Sequence, residues 1–173
     1  MKKLCWLLIL VLLLSCFAGC QATPAASRSI ENADGTLSDW MKEEIDKAYY
    51  QKLVEEYGHE NVSGEVIFKW WNPQKPNIDG VMYYGTFDGY IMYCVDLGMD
   101  ALGRKEIAGY EFLYPSIHEL YAYKDGKFYE LQELVDQGLL GKEAIAVAHN
   151  RYTEITEIIN RYKHPELYDD EME

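Results

Sequence analysis

Two Asp-Gly dipeptides, Asp88-Gly89 and Asp125-Gly126, each stand between short runs of strand-forming residues. A two-residue hairpin loop needs positive φ at both central residues, and Asp-Gly tolerates this well. Each dipeptide therefore forces its flanking runs to pair antiparallel. Val81–Phe87 and Tyr90–Asp96 make the first hairpin, and His118–Lys124 with 127–131 the second. A two-residue turn sets Phe87 opposite Tyr90, Tyr84 opposite Tyr93 and Tyr83 opposite Cys94. It also sets Tyr123 opposite Phe128. With a side-chain period of two, one face of the first hairpin carries Met82, Tyr84, Thr86, Ile91, Tyr93 and Val95. The other carries Val81, Tyr83, Phe87, Tyr90, Met92 and Cys94, with a gap at Gly85. Both faces are apolar enough to be covered, which predicts a central position.

Helices flank this sheet. Ser38 suits an N-cap, and Asp39, Glu43 and Glu44 follow where the helix dipole favours acid. Met41, Ile45, Ala48, Tyr49 and Leu53 recur at helical spacing, so a helix is predicted over 39–57, ended by Gly58. Residues 64–71 read as a strand, and Pro73 and Pro76 as a loop. Residues 97–104 read as a loop and 107–114 as one strand. A short helix over 131–137 precedes Gly138 at its C′ position. Ile145, Ala148, Tyr152, Ile155, Ile159 and Tyr162 mark a long amphipathic helix over 142–162, stopped by His164-Pro165. Glu166 to Glu173 is a short acidic tail expected to fray. The expectation is an α+β fold in one domain, 38–165. It comprises an N-terminal helix, an antiparallel meander of about five strands, and a short and a long C-terminal helix packed on the sheet, with the long helices on one face.

The amino terminus has a different character. Met1-Lys2-Lys3 is positive, Leu4 to Leu14 is apolar, and Ser15 to Gly19 is small or apolar before Cys20. This is the three-part pattern of an export signal, too short for the roughly 20 residues of a membrane span. Phe17-Ala18-Gly19-Cys20 resembles the lipobox of bacterial lipoproteins, with Phe17 where that family usually has Leu. The resemblance implies removal of the signal peptide 1–19 and acylation of Cys20, palmitate included. The product is a domain anchored to the cell membrane on its extracytoplasmic face, and multiple acyl chains hold stably where one is marginal. Leu14-Ser15-Cys16 is a weaker competing site that leaves Cys20 unexplained. Residues 20–37 read as a flexible tether. Cys5 and Cys16 leave with the signal, so Cys94 has no disulfide partner in the domain and stability must come from the core.

Composition narrows the partners. Hydrophobic residues are 49% and charged residues 26% of the chain. That balance excludes a disordered or multi-span chain. The net charge of −13 argues against nucleic acid, whose phosphates need Lys and Arg. It favours a cationic over an anionic partner.

From Tyr83 to Glu143 the chain resembles a group of small uncharacterised exported proteins and lipoproteins of Gram-positive bacteria. The residues that carry this are Tyr84-Gly85-Thr86-Phe87-Asp88-Gly89 and Ile107-Ala108-Gly109-Tyr110-Glu111-Phe112. With them go Tyr123-Lys124-Asp125-Gly126-Lys127-Phe128-Tyr129-Glu130-Leu131 and Gly138-Leu139-Leu140. That group has no established activity, so the resemblance implies no functional residue. Its motifs read as hairpin turns, flanking aromatics and a helix cap.

No catalytic set emerges. Cys94 sits mid-strand among Tyr, Met and Val, where a small buried hydrophobe is expected rather than a nucleophile with a polarising neighbour. His59-Glu60 lacks the second His of a zinc-protease helix, and no His pair has ligand spacing. Asp88, Asp96 and Asp100 lack the alternating oxygens of a calcium loop. Gly98 to Lys105 imitates a P-loop but places Arg104 where Lys is required. Carboxylates are abundant, yet glycosidase chemistry needs two at a defined separation. No metal or cofactor is therefore expected.

The unusual feature is aromatic: fifteen Tyr, and Trp70-Trp71 beside a Pro-containing loop. Exposed Trp and Tyr favour protein interfaces and sugar stacking. Trp70 and Trp71 are the candidate binding surface, since neighbouring strand residues point to opposite faces, which leaves room for one of the two to reach solvent. The functional expectation is a non-catalytic module that binds an unknown protein. The alternative is a carbohydrate-binding module using exposed Trp and Tyr.

Overall fold

The computed structural model describes residues 28–62, 68–76, 80–96, 103–114 and 118–168. The signal peptide, Cys20 and parts of the predicted 64–71 strand, 97–104 loop and acidic tail lie outside the described residues. Glu31–Glu173 forms one compact unit.

The architecture is α+β. Helix α1 (Asp39–Tyr57) is followed by six strands: β1 (Val81–Phe87), β2 (Tyr90–Asp96), β3 (Gly103–Ile107), β4 (Tyr110–Tyr114), β5 (His118–Lys124) and β6 (Lys127–Glu130). Helices α2 (Leu131–Asp136) and α3 (Lys142–Lys163) complete it. The strands form a four-stranded antiparallel sheet ordered β1-β2-β5-β6 and a separate β3-β4 pair. The predicted single strand 107–114 is instead split by the turn of a third hairpin at Ala108-Gly109, with Ile107 ending β3 and Tyr110–Tyr114 forming β4. The φ angles of this turn, +51° and +82°, match those of Asp88-Gly89 and Asp125-Gly126. Sequence reading missed it because Ala rarely adopts positive φ.

The first hairpin departs from the simple register. Phe87 faces Tyr90 and Gly85 faces Met92, but Tyr83 faces Tyr93 and Met82 faces Cys94. A β-bulge at Tyr84 absorbs one residue. Its effect is to turn Tyr84 into the same core as Met82, Phe87, Met92 and Cys94. Ala144, Ile145, Ala148 and Ile155 of α3, with Leu131 and Leu134 of α2, seal this face. Gly85 has φ +106°, and a Cβ there would lie 2.9 Å from Val147 Cγ1, so the missing side chain lets α3 settle on β1.

The other sheet face carries Ile91, Tyr93, Tyr123 and Phe128. Here α1 approaches: the Tyr49 ring lies 5.6 Å from Phe128 and 4.8 Å from Phe68, which itself packs 6.4 Å from Tyr93. The two long helices thus take opposite faces, correcting the single-face expectation. Both faces were apolar, and one helix cannot cover both. In α1 only Met41 and Ile45 of the predicted stripe are fully buried. In α3 the predicted stripe holds except Tyr162, which is exposed.

Candidate functional site

Residues before α1 are not a free tether. Glu31 bridges to Leu37, and Leu37 is 1% exposed. Asn32 Nδ2 donates to the Leu37 carbonyl at 3.1 Å. Asp34 accepts from the Thr36 hydroxyl (2.6 Å) and N–H (3.0 Å), which holds its carboxyl below the ordinary value. Arg151, from α3, donates to the Gly35 carbonyl at 2.9 Å and pairs with Glu154 at 2.7 Å. Tyr83 donates to Glu31 at 3.1 Å, and burial pushes its phenol well up. The folded domain therefore starts at Glu31, and the predicted tether 20–37 loses its last seven residues to it. Ser38 is at the N-cap position, but its buried hydroxyl makes no hydrogen bond.

This segment closes over the edge of β1 beside Trp70 and Trp71. Val81 N–H donates to the Lys69 carbonyl and Trp71 N–H to the Val81 carbonyl, both at 2.8 Å. A Cβ on Gly80 would overlap the Lys69 carbonyl oxygen, so only glycine allows this approach. Neighbouring residues on the extended run take opposite sides. Trp71 enters the α3-side core at 7% exposure. Trp70 packs 6.0 Å from Phe68 and 6.1 Å from Tyr93. Of the pair, Trp71 is buried in the core while Trp70 is half-buried and keeps part of its surface accessible. Burial raises the Asp46 carboxyl, against the pull of its 3.2 Å hydrogen bond from Phe68 N–H and of the nearby Trp70 indole N–H. A cavity of about 10 Å³ lies at this edge, lined by Leu37, Lys42, Trp70, Trp71, Tyr83 and Arg151 among others. Trp71 Nε1 and Arg151 Nε are buried without a hydrogen-bond partner.

A second, open site lies at the far edge of the sheet. A groove of about 300 Å³ runs between α1 (Gln51, Lys52, Glu55) and the β5–β6 hairpin (Gly126, Lys127, Phe128). β6 is the last strand of the sheet. Lys124 and Lys127 close the two-residue turn and bond each other, so bonding alternates and Phe128 turns its N–H and C=O away from β5. No described residue takes them up. Lys52 Nζ stands 5.9 Å from the Phe128 ring centre, and exposed Lys127 has no ion pair among the described residues.

The β4 edge, by contrast, is covered. Tyr152 accepts from Leu113 N–H at 3.0 Å and donates to its carbonyl at 2.8 Å. His149 Nε2–H donates to the Glu111 carbonyl at 3.0 Å. Of the remaining sequence candidates, Cys94 is fully buried in the core. Among the described residues no cluster of His, Cys, Asp or Glu is arranged to hold a metal, and no helix is long and apolar enough to cross a membrane. Sequence reading missed both the β6 groove and the part played by Arg151. The Arg151–Gly35 contact joins residues 116 positions apart, which no local pattern signals. No family model, curated protein or solved structure matches this chain.

Proposed function

We propose that this protein is anchored by lipid on Cys20 to the extracytoplasmic face of the cell membrane, and that its domain is a non-catalytic protein-binding module. The hairpin motifs support kinship with small exported proteins of Gram-positive bacteria. The observation that carries the binding reading is the open groove beside β6, whose outer edge is paired by no strand among the described residues. Such an edge accepts an extended segment of a partner by strand addition. The backbone contribution is modest. Phe128 offers one rung of two hydrogen bonds, each about 1 kcal/mol net. Lys52, Lys127 and the Phe128 ring must supply the rest. The carbohydrate reading rests on Trp70 alone, which is half-buried with edge contacts to Phe68 and Tyr93, because Trp71 is buried.

The test is cross-linking of intact host cells that express the tagged protein. The wild type is expected in the membrane fraction with one abundant envelope or extracellular protein attached. Cys20→Ala should release the protein to the soluble fraction. Lys52→Glu with Lys127→Glu should abolish the capture without changing the fraction. Capture that survives the double substitution would remove the groove from the reading. Wild-type protein found only in the secreted fraction would overturn the anchor.

A further inference from the structure

The β3–β4 hairpin has two outer edges, and only one of them is covered. On β4, Tyr152 bonds the N–H and C=O of Leu113, and His149 bonds the C=O of Glu111. Those backbone groups therefore point away from β3. Arg104 lies opposite Leu113, and Glu106 opposite Glu111. Two residues directly opposite in an antiparallel ladder either bond each other or both face outward. The N–H and C=O of Arg104 and Glu106 thus point away from β4. Among the described residues no strand pairs with this edge and no group bonds them. Both side chains are exposed. The edge offers two outward rungs where β6 offers one. Its charges are also unbalanced. Glu106 stands directly opposite Glu111, an unfavourable like-charge pair. Glu111 is answered by Arg104 at 2.7 Å, whereas Glu106 has no ion pair among the described residues.

We propose that β3 pairs antiparallel with β3 of a second copy of this chain, about a two-fold axis at Lys105. In that register Arg104 lies opposite Glu106 of the second copy, and Glu106 opposite its Arg104. Each of these pairs exchanges both backbone hydrogen bonds. Each also sets opposite charges across the strands, which is favourable, and gives Glu106 the cation it lacks. The order Arg104-Lys105-Glu106 fixes the register. A slip of two residues puts Arg104 opposite Arg104 or Glu106 opposite Glu106. A slip of one sets outward backbone groups against inward ones. The unfavourable contact is Lys105 against Lys105, and each of these lies 3.5 Å from Glu119 of its own chain. This self-complementarity selects a second copy over a foreign segment. The β6 groove stays free, so the pairing does not depend on the groove reading. Four hydrogen bonds and two ion pairs are few for an interface, so the dimer is a weak one, favoured by high local concentration.

The experiment is disulfide trapping of the purified full chain in detergent, mildly oxidised across a concentration series and read as the dimer fraction on a non-reducing gel. Lys105 meets its counterpart in a pair without mutual hydrogen bonds, where Cα atoms stand about 4.5 Å apart, within disulfide reach. Lys105→Cys should therefore form dimer above the wild-type background. Leu113→Cys, exposed on the other strand of the hairpin, should stay at background. Adding Arg104→Glu to Lys105→Cys makes both symmetric pairs repulsive and should lower the dimer about tenfold. Adding Glu106→Arg as well restores both pairs with their signs exchanged and should bring the dimer back, which separates an interface from a folding defect. A Lys105→Cys chain at background at every concentration would overturn the proposal. So would a dimer indifferent to Arg104→Glu, or a swap that leaves the dimer lost. Sedimentation of the wild type needs no variant: a monomer–dimer equilibrium weakened by salt supports the pairing, and a monomer throughout overturns it.

Discussion

Gly85→Ala tests the packing that positions every other feature of the domain. Two costs are separable in the structure. The residue has φ +106°. L-residues seldom enter that region, and holding one there costs about 1–3 kcal/mol. The new Cβ also meets Val147 Cγ1 at 2.9 Å. Such overpacking costs about 1–3 kcal/mol. Together these reach about 2–6 kcal/mol, a large part of the roughly 5–15 kcal/mol that holds a domain folded. With a urea slope of about 2 kcal/mol/M, the midpoint should fall by about 1–3 M. Val147 is 38% exposed. Val147→Ala alone should therefore cost no more than about 1 kcal/mol. Placed on Gly85→Ala, it should restore the packing share and leave the backbone share, giving a coupling of about 1–3 kcal/mol. The assay is equilibrium urea unfolding of the four proteins of this cycle, followed by tryptophan emission. A Gly85→Ala midpoint within experimental error of wild type would refute the argument. A large loss with no coupling to Val147 would show that the backbone alone requires glycine.

Two further outcomes follow from single contacts. Burial raises the Asp46 carboxyl pKa in the fold, so as pH rises above the ordinary value of 3.8 the unfolded chain ionises first and stability falls. Asp46→Asn keeps an acceptor for Phe68 N–H and removes this penalty. It should unfold at a higher temperature than wild type near neutral pH and lose that advantage below pH 3.8, whereas a pH-independent advantage would contradict the cause given. Tyr152→Phe strips both partners from the Leu113 backbone. That loss should cost about 1–2 kcal/mol. Faster amide exchange at Leu113, with Ile107 unchanged, is the specific sign, and uniform acceleration would count against a local role.

How far the fold was legible depended on whether the cause was local. The limits of α1 and α3 follow from Ser38, Gly58 and His164-Pro165, and the Asp-Gly turns sit where their backbone chemistry puts them. The cap chemistry was less faithful, since Ser38 holds its position without capping. The third hairpin was hidden because Ala108 carries a conformational cost that tertiary contacts offset: Tyr110 and Phe112 pack on His149 at 5.2 and 5.3 Å. The bulge at Tyr84 was equally invisible. It exists because α3 must approach Gly85 while Tyr84 fills the core against Phe112 and Tyr152. The candidate sites were the least legible part. Trp70 and Trp71 were singled out by composition, but their exposure depends on the parallel bridge to Val81, a contact set by the fold and not by the dipeptide.

Both candidate sites share α1, and its packing bears on how they work. The cavity takes Lys42 from the first turn of α1 and Leu37 from just before it, and the groove takes Gln51, Lys52 and Glu55 from its last turns. Yet α1 buries only Met41 and Ile45 fully, both in its first half. Its second half rests on partly buried Tyr49 and Leu53 and has no basic residue in its last turn to meet the helix dipole. Few buried contacts mean a low free energy of local opening. The end of α1 that walls the groove is therefore the part best able to yield to an incoming segment. The end beside Arg151 is held by Leu37, Ile45 and the β1 edge, so opening the groove need not disturb the cavity. Amide exchange along α1 should then fall into two classes, fast beyond Leu53 and slow around Ile45. Uniform protection would mean that the groove is a rigid surface and that a partner must fit it as it stands.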